Sequence, residues 1–354
     1  MRVIGISNKT RYWQEYAFSN PPEGYRYARM MDVPWHVLRI SNQFLAHTKF
    51  FFPLRHADIH HTYNGIVANR APWVIEVESY LPRYRPMRED HALAKWAMRR
   101  LASNDCKAIL FSSEHTARMN REKLAAAGVD PAKTAVLYRA VEHYMAPERP
   151  TDVFQVLFVG NGFYRKGGVE LLKAFQRLKR PEARLRIISS MEIDWAVLPD
   201  EARQQWVRQA IASDPRIQWD PGLPHAQVVQ CMRRAHVFVN TTFGDTFNNA
   251  VMEAMGCQLP VIGSGVSALP EMIEHGHNGF IIDVADQDSE RIATEIHAHL
   301  ERLMDDAALA RTMGERSMAI ARTRFDIRAR NARLRAIYDR ALGEPVSDGN
   351  SSAI

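Results

Sequence analysis

Cysteine is scarce in this sequence, and long apolar runs are missing from it. The 354 residues include three cysteines, Cys106, Cys231 and Cys257, which are widely spaced and form no Cys-x-x-Cys pair. This pattern argues against a disulfide framework and against a zinc site. No apolar run approaches the ~18 residues of a membrane-spanning helix, and Val3 to Ser7 is too short for the apolar core of a secretory signal. We therefore expect a cytoplasmic protein.

The composition is that of a compact folded protein. Hydrophobic residues make up 46% and charged residues 24%, with 18 glycines and 18 prolines. These proportions exclude a disordered, collagenous or coiled-coil chain. At the usual ~150 residues per domain, the length predicts two domains or one large one.

Positive charge is concentrated in the first half. The net charge is +6, and residues 1–150 contain 22 Lys and Arg against 14 Asp and Glu. This surplus fits an anionic partner, although a merely soluble basic surface explains it equally well. The segment Arg39 to Arg55 mixes aromatic and basic residues, which fits peripheral contact with the inner face of an anionic membrane or binding of a lipid-linked acceptor. A buried helix with a basic rim is the alternative, and the pattern favours it. No nucleic-acid-binding motif is present, and we expect no nucleic acid partner.

Short apolar strands alternate with helices along both halves. In the first half, strands are predicted at 2–7, 57–61, 73–77, 108–113 and 134–138, with a helix at 115–127. A polar, proline-broken linker follows at 146–151. In the second half, strands are predicted at 156–159, 183–188, 236–240, 260–263 and 280–283, and helices at 168–179, 226–235 and 249–257. This alternation predicts an α/β protein of two doubly wound, Rossmann-like domains, over 1–147 and 151–324.

A glycine-rich junction follows the first strand of the second half. Its notable residues are two glycines, the asparagine between them and two cations: Gly160, Asn161, Gly162, Arg165 and Lys166. A cation at a helix N-terminus opposes the macrodipole by ~0.3–1 kcal/mol, so the pair makes more sense if an anion lies between it and the helix amides. A bound phosphate or diphosphate and a solvated basic turn are equally consistent with this loop alone.

Two carboxylates mark a second junction. Asp245 falls in a loop, and Glu253 lies on the following helix, on the face that it shares with Asn249. A glycosidase acid and base must flank a bond from opposite sides, which two groups on one loop-helix unit do poorly. Carboxylates on one side suit hydroxyl binding better, because a carboxylate accepts two hydrogen bonds from a sugar diol. A capping residue and an exposed acid remain the alternative.

These segments resemble glycosyltransferase family 4, whose members use nucleotide sugars, retain the anomeric configuration and have the GT-B fold. The family's two acids, separated by seven residues, appear as Asp245 and Glu253. Further segments follow in the family's order: Gly256 to Ser264, Leu269 to Glu271 and Gly276 to Phe280. The resemblance runs from about Gln155 to Asp283, with a tail helix over about 325–343.

The resemblance implies two domains that face each other across a cleft, with the tail helix packing back on the first. It makes Arg165, Lys166 and Asp245 candidate catalytic residues: the two cations bind the donor diphosphate, and Asp245 binds the transferred sugar with the neighbouring main-chain amides. Glu253 binds the ribose hydroxyls. The other donor-binding candidates are Gly160, Asn161, Gly162, Thr246, Phe247, Asn248 and Asn249. The expected donor is a UDP-, GDP- or ADP-sugar, with no obligatory metal or cofactor.

The sequence departs from the family pattern at several positions. Asp245 stands where the family usually has Glu, Asn161 where Arg commonly follows the first Gly, and Asn248 where Gly is usual. In the first half, Asn8 to Arg11 replaces the expected Gly-rich loop. Because the Asp245 side chain is shorter than that of Glu, we expect it to contact the sugar differently or to favour a different sugar. Arg165 is expected to compensate for the cation missing at position 161.

The first half also carries an acid and a histidine pair that require interpretation. Glu78 occupies the position of the family's histidine and is a weaker catalytic candidate, acting on the acceptor or the sugar; a solvated acid at a strand end is the alternative. His60 and His61 are adjacent in a predicted strand, so their side chains point to opposite faces and suit one metal ion poorly. We interpret them as structural.

The sequence thus predicts a retaining glycosyltransferase of hexosyltransferase type. It would move a sugar from a nucleoside-diphosphate sugar to a hydroxyl of a glycan or lipid-linked acceptor held by the first domain, as in polysaccharide or glycolipid biosynthesis. The alternative is a non-catalytic GT-B protein that binds a nucleotide sugar and serves as a partner-binding or membrane-surface module. The missing Gly-rich loop and Glu78 favour that alternative.

Overall fold

The computed structural model describes residues 1–7, 20–31, 43–52, 56–85, 87–141, 144–192, 197 and 199–344. The chain divides into two compact units, one formed by residues 1–140 together with the last helix, and one by Val141–Phe325. The predicted linker at 146–151 begins a few residues after this division. The segment Asn8 to Arg11 lies outside the described residues, as do residues 39–42 and 53–55 of the aromatic and basic segment.

The first unit is built around a parallel sheet. Its strands are β1 (Arg2–Ser7), β2 (Tyr25–Met30), β3 (Thr48–Lys49), β4 (Ile59–Tyr63), β5 (Ile66–Val67), β6 (Trp73–Val77), β7 (Cys106–Phe111) and β8 (Thr134–Val136). Its first helices are α1 (Gln43–Ala46), α2 (Ala92–Ala102) and α3 (Glu114–Ala126). The strand order is β2-β1-β4-β6-β7-β8, and β3 pairs separately with β5.

Both faces of this sheet are covered. All five residues of β6 are buried, as expected of a central parallel strand that is covered on both faces. Ile75 packs in a core cluster with Leu101 of α2 and Leu124 of α3. Val74 belongs to a different cluster, because successive side chains of a strand point to opposite faces.

The second unit contains another parallel sheet. Its strands are β9 (Phe154–Val159), β10 (Ala183–Ile188), β11 (Ile217–Asp220), β12 (Val237–Asn240), β13 (Val261–Ser264) and β14 (Gly279–Ile282). Its helices are α4 (Gly168–Arg177), α5 (Glu201–Ser213), α6 (His225–Arg234), α7 (Asn249–Gly256), α8 (Ser289–Asp305) and α9 (Ala307–Arg324). The strand order β11-β10-β9-β12-β13-β14 reverses direction beside β9, which confirms the predicted doubly wound architecture.

The last helix, α10 (Ile327–Leu342), covers the second face of the first unit's sheet. Leu334 and Tyr338 are fully buried in the cluster that contains Val74. Arg330 forms a buried ion pair with Glu76 of β6. Removing one partner of such a pair typically costs about 3–5 kcal/mol, so this contact fixes the position of α10 on the sheet.

Sequence patterns located the strongly apolar elements more accurately than the others. The bounds predicted for β1, β6 and β10 are confirmed, whereas β2, β11, α2, α5 and α8 were not predicted. β2 is an edge strand with partly exposed polar residues, and α5 buries only Val207 and Ala210, so neither has a clear periodic pattern. The three cysteines are buried free thiols, as expected without a disulfide framework.

Candidate functional site

Two loops of the second unit meet where its strand order reverses. β9 and β12 are parallel neighbours, with Val156 opposite Val237 and Leu157 opposite Phe238. The crossovers from β9 and β12 lead to opposite sides of the sheet, which opens a crevice at their carboxyl ends. The loop from β9 to α4 and the loop from β12 to α7 both leave these ends, so they lie at the usual ligand position of such a sheet.

Glycines allow these two loops to approach closely. Gly167, the N-cap of α4, has φ +79° and lies against Thr241. A Cβ on Gly160, whose φ is +155°, would lie 2.8 Å from Cδ of Lys166, so the lysine side chain packs over the bare glycine backbone. A main-chain hydrogen bond joins the loops: the amide of Phe243 donates to the carbonyl of Arg165 at 2.9 Å.

The predicted cations and the loop acid come together at this junction. Nζ of Lys166 lies 2.8 Å from Oδ2 of Asp245, and Nη1 of Arg165 lies 4.0 Å from the same oxygen. The Arg165 guanidinium also donates a hydrogen bond to the carbonyl oxygen of Gly244. All three side chains are largely enclosed, at 9%, 15% and 12% exposure for Arg165, Lys166 and Asp245. Two positive groups therefore share one carboxylate beside the amino end of α4.

No side chain caps the amino end of α4, where the amide of Gly168 donates to the carbonyl of Phe163. Its N-cap is Gly167, which has no side chain to accept hydrogen bonds from the first-turn amides. Such amides lack partners within the helix and carry the positive end of its macrodipole. Arg165 and Lys166 precede this end directly, so the helix and the cations contribute positive potential in the same place.

Glu253 lies on α7 and contacts a residue that the sequence did not single out. Its Oε1 is 3.0 Å from Nε2 of His225, the first residue of α6, and the carboxylate side chain is 14% exposed. His225 belongs to no recognised motif and lies 28 residues away along the chain, so only the packing of α6 beside α7 identifies it.

The other predicted donor-binding residues divide into structural and accessible positions. Asn248 caps α7, accepting from the amide of Val251 and donating to Oδ1 of Asn240 at 2.9 Å. Phe247 is buried, with its ring 6.1 Å from that of Phe325. Thr246 and Gly162 are buried as well, whereas Asn161 is exposed and Gly160 and Asn249 are half-buried.

In the first unit, Glu78 lies just after β6 in a polar cluster. Its Oε2 accepts from Arg83 at 3.1 Å, and its Oε1 lies 3.3 Å from the buried Arg139. Its main-chain amide donates to Oδ1 of Asn64, which follows β4. The cluster therefore stands at the carboxyl ends of neighbouring strands, although Arg83 and Arg139 come from segments that showed no motif.

The predicted histidine pair behaves as its strand geometry requires. His60 stacks on Phe51, with ring centroids 4.3 Å apart, whereas Nδ1 of His61 lies 2.5 Å from the Tyr338 hydroxyl on the opposite face. Within the described ranges, no three His, Cys, Asp or Glu side chains form a group suited to a metal ion. None of the helices in those ranges has the length and apolarity needed to cross a membrane.

The second unit is similar to known glycosyltransferases. Residues 153–302 match the family model of glycosyl transferases group 1. A D-inositol 3-phosphate glycosyltransferase of Pseudarthrobacter chlorophenolicus is 28% identical over 57% of this chain and 47% of its own length. An O-antigen chain mannosyltransferase B of Escherichia coli is 31% identical over 43% of this chain and 37% of its own length. The chain thus spans less than half the length of these two relatives.

Solved structures match nearly the whole chain. Anabaena HepE in complex with UDP has a TM-score of 0.65 at 16% identity, with 96% of this chain and 100% of HepE covered. Sucrose-phosphate synthase from Thermosynechococcus elongatus has a TM-score of 0.65 at 15% identity, with 97% and 100% covered. At this identity the likeness concerns the fold, which is GT-B, as predicted.

Proposed function

We propose that this chain is a retaining glycosyltransferase that transfers a sugar from a nucleoside-diphosphate sugar to a hydroxyl of a glycan or lipid-linked acceptor. The observation that carries the proposal is the 2.8 Å contact between Nζ of Lys166 and Oδ2 of Asp245 at the reversal point of the second sheet. This contact joins a loop of the kind that binds diphosphates to an acidic residue of the kind that binds sugar hydroxyls. The group 1 family match over the same residues supports this assignment.

Arg165 and Lys166 are the proposed binding groups for the donor diphosphate. Transfer breaks the bond between the anomeric carbon and a diphosphate oxygen, so negative charge grows on the leaving group. Enclosed cations and the amino end of α4 stabilise that charge in the transition state, where such contacts increase the rate. These groups supply the compensating charge themselves, and we propose no obligatory metal.

Asp245 and Glu253 are proposed to hold sugar and ribose hydroxyls respectively. A carboxylate oxygen accepts hydrogen bonds from hydroxyl groups, and both side chains are largely enclosed. In the proposed front-face transfer, the acceptor oxygen forms a bond to the anomeric carbon on the side that the diphosphate leaves. The acceptor proton passes to the departing phosphate oxygen, so the anomeric configuration is retained.

The first unit is proposed to hold the acceptor through the polar cluster around Glu78. Arg83 and Asn64 donate hydrogen bonds to the Glu78 carboxylate and hold it at the carboxyl ends of the strands. There the carboxylate is placed to accept a hydrogen bond from a hydroxyl group of the substrate. The names of the relatives refer to different acceptors, from inositol 3-phosphate to O-antigen chains, and so leave the acceptor class broad. The basic surplus of residues 1–150 supports peripheral membrane contact for a lipid-linked acceptor.

The test begins with the nucleotide. Thermal unfolding of the full chain is followed with UDP, GDP, ADP and their sugars, because a ligand that binds only the folded state stabilises it by an amount that grows with the logarithm of its concentration over Kd. The stabilising sugar nucleotide is then incubated with the chain, with water as the acceptor, and the released nucleotide and the anomeric proton of the newly freed sugar are followed by NMR. We expect release with retained configuration. Binding without turnover favours the non-catalytic alternative, and inversion contradicts the proposed mechanism.

A further inference from the structure

The first unit contains a cavity that the proposed function does not use. It encloses about 490 Å³, within the ~300–1,000 Å³ range of small-molecule sites. The residues before β4 and before β6 form much of its lining. Its apolar walls come from Met30, Phe51, Phe52, Ala57 and Ala71.

His60 adds a neutral polar group to this cavity. The residue is 8% exposed, and its ring stacks on Phe51 with an interplanar angle of 5°. Gly5 makes room for it, because a Cβ on Gly5 would lie 2.7 Å from Nδ1. Burial lowers the pKa of His60 to about 4, so the ring is uncharged at neutral pH.

The hydrogen bonding of His60 favours one tautomer. Nδ1 is buried and has no hydrogen-bond partner in the part of the chain that the structure describes. A buried N–H without a partner is costly, so a proton at Nδ1 is unfavourable and we assign it to Nε2. The ring lines the cavity, and its N–H is then available as a donor to a ligand oxygen.

Arg70 places a positive charge at the same cavity. It is exposed and makes neither a hydrogen bond nor an ion pair with the residues in the described ranges. The preceding Asn69 is fixed in place, because it accepts from the amide of Phe51 at 2.7 Å and donates to its carbonyl at 3.0 Å. A guanidinium on such an anchored segment suits a carboxylate, sulfonate or phosphate.

We propose that this cavity binds a small amphipathic organic anion. The apolar body of the ligand lies against Met30, Phe51 and Phe52, and its anionic group binds Arg70. An oxygen of the ligand accepts the His60 N–H. A short acyl carboxylate and an aromatic carboxylate share this chemistry. The site belongs to residues of the first unit, and it is independent of the donor chemistry assigned to the second.

The test uses the fluorescent aromatic anion 8-anilinonaphthalene-1-sulfonate with the full chain. We expect saturable binding at one site, weakened roughly tenfold (about 1.4 kcal/mol) by Arg70→Gln, because the variant loses a charge-assisted hydrogen bond to the sulfonate. Ala71→Trp fills the cavity and abolishes binding. Arg99→Gln removes an exposed arginine of α2 outside the cavity and leaves binding unchanged. Circular dichroism establishes that each variant is folded.

Competition identifies the source of the ligand. Displacement of the dye by decanoate assigns an acyl anion, and displacement by 2-naphthoate assigns an aromatic one. Displacement by neither, or equal dye binding by the parent chain, Arg70→Gln and Ala71→Trp, overturns the proposal. Lys166→Ala should bind the dye as the parent chain does, so failure of this site and failure of the donor site are distinguishable.

Discussion

Gly167 lies so close to Thr241 that a Cβ on the glycine would come within 2.1 Å of the threonine hydroxyl oxygen and 2.7 Å of its carbonyl oxygen. The contact joins the loop after β9 to the loop after β12, which together carry Lys166 and Asp245. No side chain fits between them without moving the backbone.

Gly167→Ala should therefore destabilise the chain and separate the two loops. A non-glycine residue in the left-handed region costs about 1–3 kcal/mol, and the clash with Thr241 adds to that cost. We expect a loss of at least about 2 kcal/mol in urea unfolding, together with loss of nucleotide binding. Gly222→Ala is the control, since a Cβ there meets nothing within 4 Å. Equal stability of the two variants would show that the loops are not held at this distance.

Lys166→Ala should reduce turnover far more than it reduces stability. The lysine is proposed to stabilise charge that develops on the leaving diphosphate, and removal of one such group typically costs 10²–10³-fold in kcat. Lys179→Ala removes an exposed lysine of the same unit and serves as the control. Steady-state kinetics with the donor found by thermal shift measure both variants. Comparable kcat values would remove Lys166 from the mechanism.

Glu253→Gln should weaken binding of the preferred nucleoside diphosphate about tenfold, because the charge-assisted hydrogen bonds to the ribose are lost. A 2′,3′-dideoxy nucleotide lacks those hydroxyls, so the parent chain and the variant should bind it equally. Calorimetric titration measures both ligands. Glu315→Gln, an exposed change on α9, controls for charge. A penalty of the same size with the dideoxy nucleotide would contradict ribose binding by Glu253.

Stability should fall in acid because buried histidines resist protonation. Burial lowers the pKa of His60 from 6.5 to about 4. Between these values the unfolded chain binds a proton that the folded chain does not, so the free energy of unfolding decreases as the pH falls from 6.5 to 4. One such group contributes a slope of about 1.4 kcal/mol per pH unit.

His60→Phe should keep the stacking on Phe51 and remove that contribution. Urea unfolding at pH 7, 6 and 5 measures the slope, which should become shallower in the variant. The exposed His277→Phe provides the comparison. If His60→Phe and the parent chain lose stability in parallel, the acid sensitivity arises elsewhere, for example at His47 or His61, whose pKa values burial also lowers to about 4.

The sequence predicted many of the strands and the loops that follow them. β6 is a short, mostly apolar run, and β10 alternates arginine with apolar residues before two isoleucines; the limits of both strands follow from these patterns. The two junctions were found because glycine, cation and carboxylate spacing is local information. Edge strand β2 and helix α5 were missed because partial burial leaves no clean period in their sequences.

The sequence pattern did not predict contacts between residues that are far apart along the chain. Lys166 and Asp245 are 79 residues apart, and their ion pair exists because β9 and β12 are neighbours in the sheet. His225 reaches Glu253 through the packing of α6 beside α7, and Arg139 reaches Glu78 from beyond β8. Nothing in the local sequence of either partner specifies these contacts.

The sequence by itself determined the alternation of strands and helices, the parallel sheets and the residue types available at each loop, because periodicity, capping and turn chemistry act over a few residues. The tertiary structure decided which of those residues meet. It placed Lys166 against Asp245, His225 against Glu253 and His60 beside an open cavity. Strand order and helix packing set these distances, and both depend on burial of apolar surface contributed by the whole unit.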